Sequence, residues 1–214
     1  MNTAAAHLQE QFEDAEQQLT AAKLGMWTFL ATEILLFGAL FCGYAAYRAS
    51  YPLGFAAAAR HTDALLGTVE TAVLLTSSLT MALAIRALRL AQRRIAVALI
   101  AATVLLGAAF LGIHASEYVK EWHEHLVPGR TFDAQLGARP GAQMFFVLYY
   151  VMTGLHALHV TIGAGVLAVL GVIVARGRLG PGYFTPLELG GLYWHLVDIV
   201  WIFLYPLFYL MARS

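Results

Sequence analysis

Five long apolar segments constrain the fold of this chain more than any other feature of its sequence. They cover residues 24–47, 65–85, 95–118, 144–174 and 187–211. A helix needs about 20 mostly apolar residues to cross the hydrocarbon core of a bilayer, and each segment meets that length. The alternating pattern that a transmembrane β-strand requires is absent from these segments. The sequence therefore predicts an all-α integral membrane bundle of five transmembrane helices.

The composition agrees with a membrane protein and excludes several other classes. Hydrophobic residues make up 60% of the 214 positions and charged residues 12%, and the mean hydropathy is +0.68. Soluble domains are nearer half apolar and a quarter charged. The 13 basic and 13 acidic residues balance, so no nucleic-acid partner is expected. The single cysteine, Cys42, excludes an internal disulfide and a multi-cysteine metal site.

The ends of the apolar segments predict the domain organisation and the orientation. Residues 1–22 are polar and form a predicted cytoplasmic tail, and residues 23–214 form the five-helix membrane domain. Four arginines cluster between the second and third segments, at positions 86, 89, 93 and 94. Positive residues in short loops favour the cytoplasmic side. We therefore expect a cytoplasmic N-terminus and an external C-terminus.

Every apolar segment also carries ionisable side chains at membrane depth. They are Glu33, Glu70, His114, Glu117, His156, His159, His195 and Asp198. An aspartate at the centre of a bilayer costs at least about 2.5–3.5 kcal/mol, so such groups face protein or a wet cavity. We interpret the eight residues as a buried ionisable network in which histidines and carboxylates on neighbouring helices satisfy one another. This interpretation predicts no catalytic, cofactor-binding or metal-binding residue in the chain.

The spacing of the ionisable residues predicts one specific pair and leaves one alternative open. His195 and Asp198 are three residues apart and share a helix face, so we expect them to pair with each other. The alternative to a network is a metal site made by His156 and His159 with Glu33 or Asp198. His123 and His125 fall in the predicted loop 119–143, where solvated surface residues are the simpler interpretation.

Four blocks of sequence carry a more specific signal. They are Lys23-Leu-Gly-Met-Trp-Thr-Phe-Leu-Ala-Thr-Glu33, Ala115-Ser-Glu-Tyr118, Gly154-Leu-His-Ala-Leu-His-Val160 and Tyr193-Trp-His-Leu-Val-Asp-Ile-Val-Trp-Ile-Phe-Leu-Tyr205. Together they resemble subunit III of the haem–copper terminal oxidases, the cytochrome c oxidase subunit III family. Ala157 stands where glycine is usual, and Glu70 resembles the bacterial forms. Many members have seven spans, whereas five spans are familiar among bacterial oxidases.

The resemblance implies a non-redox accessory subunit of a bacterial respiratory haem–copper oxidase, in which aerobic electron transport and oxygen reduction are coupled to proton translocation. Haems and copper are expected in the partner subunits I and II, and membrane lipids, including bound phospholipid, are further expected partners. The subunit would pack on subunit I in the bacterial plasma membrane and support proton uptake and stability of the complex. Glu33 matches the family's reactive carboxylate, for which a supporting role is expected. An accessory protein of nitric oxide reductase and a stand-alone membrane metalloenzyme are the alternatives.

Overall fold

The computed structural model describes residues 10–130 and 132–210 and shows an all-helical architecture over these residues. The helices are α1 (Ala15–Ser50), α2 (Pro52–Ala58), α3 (Ala64–Arg89), α4 (Arg93–His123), α5 (Ala134–Gly137), α6 (Ala142–Ala175) and α7 (Thr185–Tyr205). A 3₁₀ turn, Ala59–His61, follows α2, and a π-helical turn, Pro206–Leu210, continues α7. Five of these helices are long and apolar enough to span a membrane, which confirms the predicted fold class.

Three aspartates fix where helices begin. Asp14 accepts a hydrogen bond from the Gln17 amide at the start of α1, and Asp63 accepts from the Leu65 and Leu66 amides at the start of α3. Asp133 caps the short helix α5 in the same way. Side-chain acceptors at this position satisfy amides that have no partner within the helix. Because of the Asp14 cap, α1 begins at Ala15 rather than at the predicted residue 24, and part of the polar tail is helical. Residues 1–9 of the predicted tail lie outside the described part of the chain.

Four helices form the core of the bundle. α3 packs along α4, α4 along α6, α6 along α7, and α7 returns to α3. α1 lies outside this ring, in contact with α6 and α7. The fully buried side chains inside the ring include Trp194, Trp201, Phe110 and Tyr149. The arrangement places the polar faces of α3, α4, α6 and α7 around a common interior and leaves most of α1 exposed.

Small residues allow the helices to approach around Trp194. A Cβ atom added at Gly107 of α4 would lie 2.7 Å from Cη2 of Trp194, and one added at Gly163 of α6 would lie 3.0 Å from Cε3. The Trp194 indole nitrogen donates to the Ser77 hydroxyl on α3 at 3.0 Å. One tryptophan of α7 therefore contacts three neighbouring helices. Small residues have this role in many membrane interfaces, because they let backbones come close.

Candidate functional site

The structure separates the predicted ionisable residues into several sets. The first is an ion pair between α1 and α6, in which His159 Nε2 lies 2.9 Å from Glu33 Oε2. His159 Nδ1 lies 2.7 Å from the carbonyl oxygen of Leu155. A carbonyl only accepts, so Nδ1 carries a hydrogen and donates it. The contact between Nε2 and Glu33 then requires one shared proton, held by the ring or by the carboxyl group.

The second set is buried between α3 and α4. His114 Nδ1 lies 3.3 Å from Glu70 Oε1 and 3.8 Å from Glu117 Oε2. All three side chains are at most 3% exposed. Glu117 also accepts a hydrogen bond from the Tyr209 hydroxyl at 2.6 Å, and the Tyr149 hydroxyl lies 3.2 Å from that of Tyr209. We call Glu70, His114 and Glu117 the buried triad.

Aromatic rings pack against one side of the buried triad. The Phe110 ring stacks on His114 with a centroid separation of 5.7 Å, and Trp201 meets His114 edge-on at 5.6 Å. His156 lies against the same Trp201 ring at 5.1 Å. His156 is fully buried, and neither ring nitrogen has a hydrogen-bond partner among the described residues. His156 and His159 are therefore one turn apart but have different surroundings, since only His159 contacts a carboxylate.

The expected pairing of His195 with Asp198 is wrong. His195 Nδ1 instead lies 2.7 Å from the Ser78 hydroxyl on α3. The Asp198 carboxylate is buried and accepts no hydrogen bond of normal geometry from the described residues, although the Ser78 hydroxyl lies close enough to interact with it. The physical reason is the packing of α3 on α7, which brings a hydroxyl to His195 from the neighbouring helix.

The candidate metal donors that the structure brings together differ from those predicted from the sequence. Within the described part of the chain, the buried triad is the one group of three or more histidine, cysteine, aspartate or glutamate residues close enough to share an ion. Its donor atoms lie within 4.8 Å of one another. The alternative set, His156 and His159 with Glu33 or Asp198, is not such a group.

Glu121 was missed by the sequence interpretation, which placed it in a solvated loop. α4 continues to His123, so Glu121 lies on the last turn of this helix, where it is 2% exposed. Both carboxylate oxygens lack a hydrogen bond of normal geometry, although the Tyr150 hydroxyl lies near them. The signal was present, because Glu121 follows His114 and Glu117 on the same helix face. His123 and His125 are exposed, as expected.

Comparison with known proteins identifies the family. Residues 9–213 match the family profile described as cytochrome c oxidase subunit III. The chain belongs to the cytochrome c oxidase subunit III family. This membership covers all five spans, and it confirms the expectation of an accessory membrane subunit of a respiratory haem–copper oxidase.

Individual relatives agree with the family assignment. The chain is 32% identical over 191 residues to quinol oxidase subunit 3 of Bacillus spizizenii, which covers 88% of this chain and 86% of the relative. It is 32% identical over 192 residues to cytochrome c oxidase subunit 3 of Alkalihalophilus pseudofirmus, with 88% and 86% covered. It is 31% identical over 198 residues to heme-copper oxidase subunit I+III of Aeropyrum pernix, covering 87% of this chain and 22% of that protein.

Proposed function

We propose that this subunit III packs on subunit I of its oxidase in the bacterial plasma membrane, stabilises the complex during turnover and supports proton uptake. The observation that carries the proposal is that most ionisable groups of the membrane domain contact one another, an aromatic ring or a hydroxyl of this chain. The outer surface is left apolar and suited to lipid and to another membrane subunit. The Aeropyrum pernix relative, whose name joins subunits I and III, supports subunit I as the neighbour.

We assign the subunit I contact to the outer face of α1. This helix is the least buried of the five spans: 17% of the residues in its most apolar stretch are buried. Gly38 and Cys42 lie one turn apart on α1; Cys42 is exposed, and a Cβ atom at Gly38 would meet no atom within 4 Å. An open small-residue surface lets another membrane helix approach closely. Contacts with subunit II and with bound phospholipid belong to the same proposal.

The cofactors and the orientation complete the proposal. The haems and copper are held by the partner subunits, and this chain has no catalytic centre of its own. The N-terminus lies in the cytoplasm and the C-terminus outside, because the end of α3 and the start of α4 carry the arginine cluster. Arg89 of this cluster pairs with Glu188 and lies over the Phe184 ring, which ties α3 to the start of α7 at the proposed cytoplasmic end.

For proton uptake, we assign the supporting role to the Glu33–His159 pair. The pair shares one proton, as its hydrogen bonds require. Its side chains are 14% and 13% exposed, so the pair lies at the junction of α1 and α6 rather than deep inside the bundle. Because its side chains are not fully enclosed, the pair can exchange its proton with a group that lies at the α1–α6 junction.

The experiment compares the complete oxidase with the oxidase prepared from a strain that lacks this chain. We expect the depleted enzyme to retain its haem spectrum, to lose activity faster during turnover and to take up protons less efficiently. The relevant measurements are the inactivation rate under continuous turnover and the number of protons moved per electron. Equal inactivation rates and equal proton stoichiometry in the two preparations would refute the supporting role. The oxidase relatives reported above favour this reading over a partnership with nitric oxide reductase.

A further inference from the structure

The buried triad has properties that a structural hydrogen-bond network does not explain. Glu70 Oε2, Glu117 Oε1 and His114 Nε2 are buried and accept or donate no hydrogen bond of normal geometry among the described residues. Glu70 is fully buried, and Glu117 and His114 are each 2% exposed. Buried polar atoms without partners are uncommon and call for an explanation such as a bound ion. An ion held by the two carboxylates could engage the unpartnered Glu70 Oε2 and Glu117 Oε1 as second oxygens of the same carboxylates, whereas His114 Nε2 faces away from the other donors of the triad.

The charge of the triad also favours a bound cation. Two carboxylates share one imidazole, and the ion pairs that the structure gives for Glu70 and Glu117 are with His114 alone. An uncompensated carboxylate is costly in a low-dielectric interior unless it is paired or coordinates a metal. A divalent cation would neutralise both carboxylates without any basic side chain.

The distances fit a small cation. Zinc binds histidine nitrogen and carboxylate oxygen at about 2.0–2.2 Å, so donors in a tetrahedral site lie about 3.4 Å apart. Glu70 Oε1 and His114 Nδ1 are 3.3 Å apart, and His114 Nδ1 and Glu117 Oε2 are 3.8 Å apart. The three donors lie on two adjacent helices, so their relative positions are fixed by the α3–α4 packing.

We propose that Glu70, His114 and Glu117 bind a divalent transition-metal cation, with Zn²⁺ as the reference ion. The mixed nitrogen and oxygen donors favour a first-row transition metal, since calcium and magnesium prefer oxygen ligands alone. The ion has a structural role and joins α3 to α4. The Tyr209 hydroxyl, which donates to Glu117 Oε2, orients that carboxylate from the turn after α7. Such outer hydrogen bonds commonly fix metal ligands.

The test uses the purified oxidase complex that contains this chain. The complex is washed with a chelator, incubated with one equivalent of zinc chloride and passed through a desalting column, and its zinc is measured by mass spectrometry. We expect about one zinc ion to be retained per complex, as in other closed structural sites. Zinc-edge X-ray absorption should show one imidazole nitrogen among oxygen ligands. Retention of no zinc by the wild-type complex would overturn the proposal.

Variants locate the ion. Glu70→Gln and His114→Gln should abolish retention, and Tyr209→Phe should weaken zinc binding about 10-fold or more through the lost outer hydrogen bond. Glu33→Gln alters the other histidine–carboxylate contact and is the matched control that should retain zinc. Equal retention in Glu70→Gln, His114→Gln and wild type would place the metal elsewhere and contradict the proposal. If a triad variant does not assemble, zinc-edge X-ray absorption of the wild-type complex still tests the proposal. A zinc coordination shell without an imidazole nitrogen would overturn the assignment.

Discussion

Glu33 of α1 and His159 of α6 form a 2.9 Å contact that joins the outer helix of the subunit to its four-helix ring. The Leu155 carbonyl accepts a hydrogen bond from His159 Nδ1, so Nδ1 carries a hydrogen and Nε2 is the ring nitrogen that contacts Glu33. A neutral amide at position 33 could donate to Nε2 and keep the hydrogen bond. The loss of the ring could not be compensated in the same way.

We therefore expect His159→Leu and Glu33→Gln to behave differently. His159→Leu leaves the carboxyl group of Glu33 without its partner. Removing one member of a fully buried charged pair costs about 3–5 kcal/mol in soluble proteins, and we expect a smaller loss here because the two side chains are 13–14% exposed. The yield and the thermal midpoint of the assembled complex should fall. Glu33→Gln should assemble normally but lose activity faster during turnover, because its amide carries no transferable proton. Equal thermal midpoints for His159→Leu and wild type would contradict the structural part of this account.

The Ser78–His195 hydrogen bond gives a second prediction. Ser78→Ala leaves a ring nitrogen of the partly buried His195 without its 2.7 Å partner. A fully buried unsatisfied group costs about 1–3 kcal/mol, so we expect a loss near the lower end of this range. The thermal midpoint of the complex should fall accordingly. Thr76→Ala is the control on the same helix, because the Thr76 hydroxyl is exposed and, among the described residues, donates to the Ala72 carbonyl of its own helix alone. If the two substitutions have equal effects, Ser78 does not hold His195.

The packing of Trp194 gives a third prediction, with two glycines of α4 as a matched pair. Gly107→Ala would place a methyl group 2.7 Å from the Trp194 ring, and overpacking of this kind costs about 1–3 kcal/mol. Gly112→Ala adds the same methyl group where no atom lies within 4 Å, and alanine favours a helix over glycine by up to about 1 kcal/mol. Thermal unfolding should show Gly107→Ala below wild type and Gly112→Ala at or above it. The reverse order would contradict the described α4–α7 contact.

The proposed contact of α1 with subunit I gives a fourth prediction. Gly38→Trp puts a large ring on the open surface of α1, where it should block the approach of the partner helix. The amount of subunit I that co-purifies with the chain should then fall. Val169→Trp is the control, because Val169 is 60% exposed but belongs to α6 rather than to α1. Equal recovery of subunit I with both variants would move the contact away from α1.

The fold could be predicted well from the sequence, because bilayer thickness sets the helix length. The five apolar segments fall within the five long helices over the described residues. The ends were less accurate, since polar residues continue a helix beyond the lipid when a cap such as Asp14 lies farther out. α4 likewise extends to His123, which moved Glu121 from a predicted loop into the interior.

The partners of the buried residues were harder to predict. Ionisable residues at membrane depth were recognisable, but the sequence does not show which helices are neighbours. Local spacing suggested His195 with Asp198, whereas the α3–α7 contact provides Ser78. The same limitation hid the buried triad, because Glu70 is 44 residues from His114 and meets it through the packing of α3 on α4.

As a member of the subunit III family, this chain should be held in a haem–copper oxidase. The most direct measurement is to isolate the chain from its native membrane in a mild detergent, record the absorption spectrum and identify the co-purifying proteins by mass spectrometry. We expect haem bands together with a haem–copper subunit I in stoichiometric amount. A chain recovered without haem absorption and without such a subunit, from membranes whose oxidase remains intact, would contradict it.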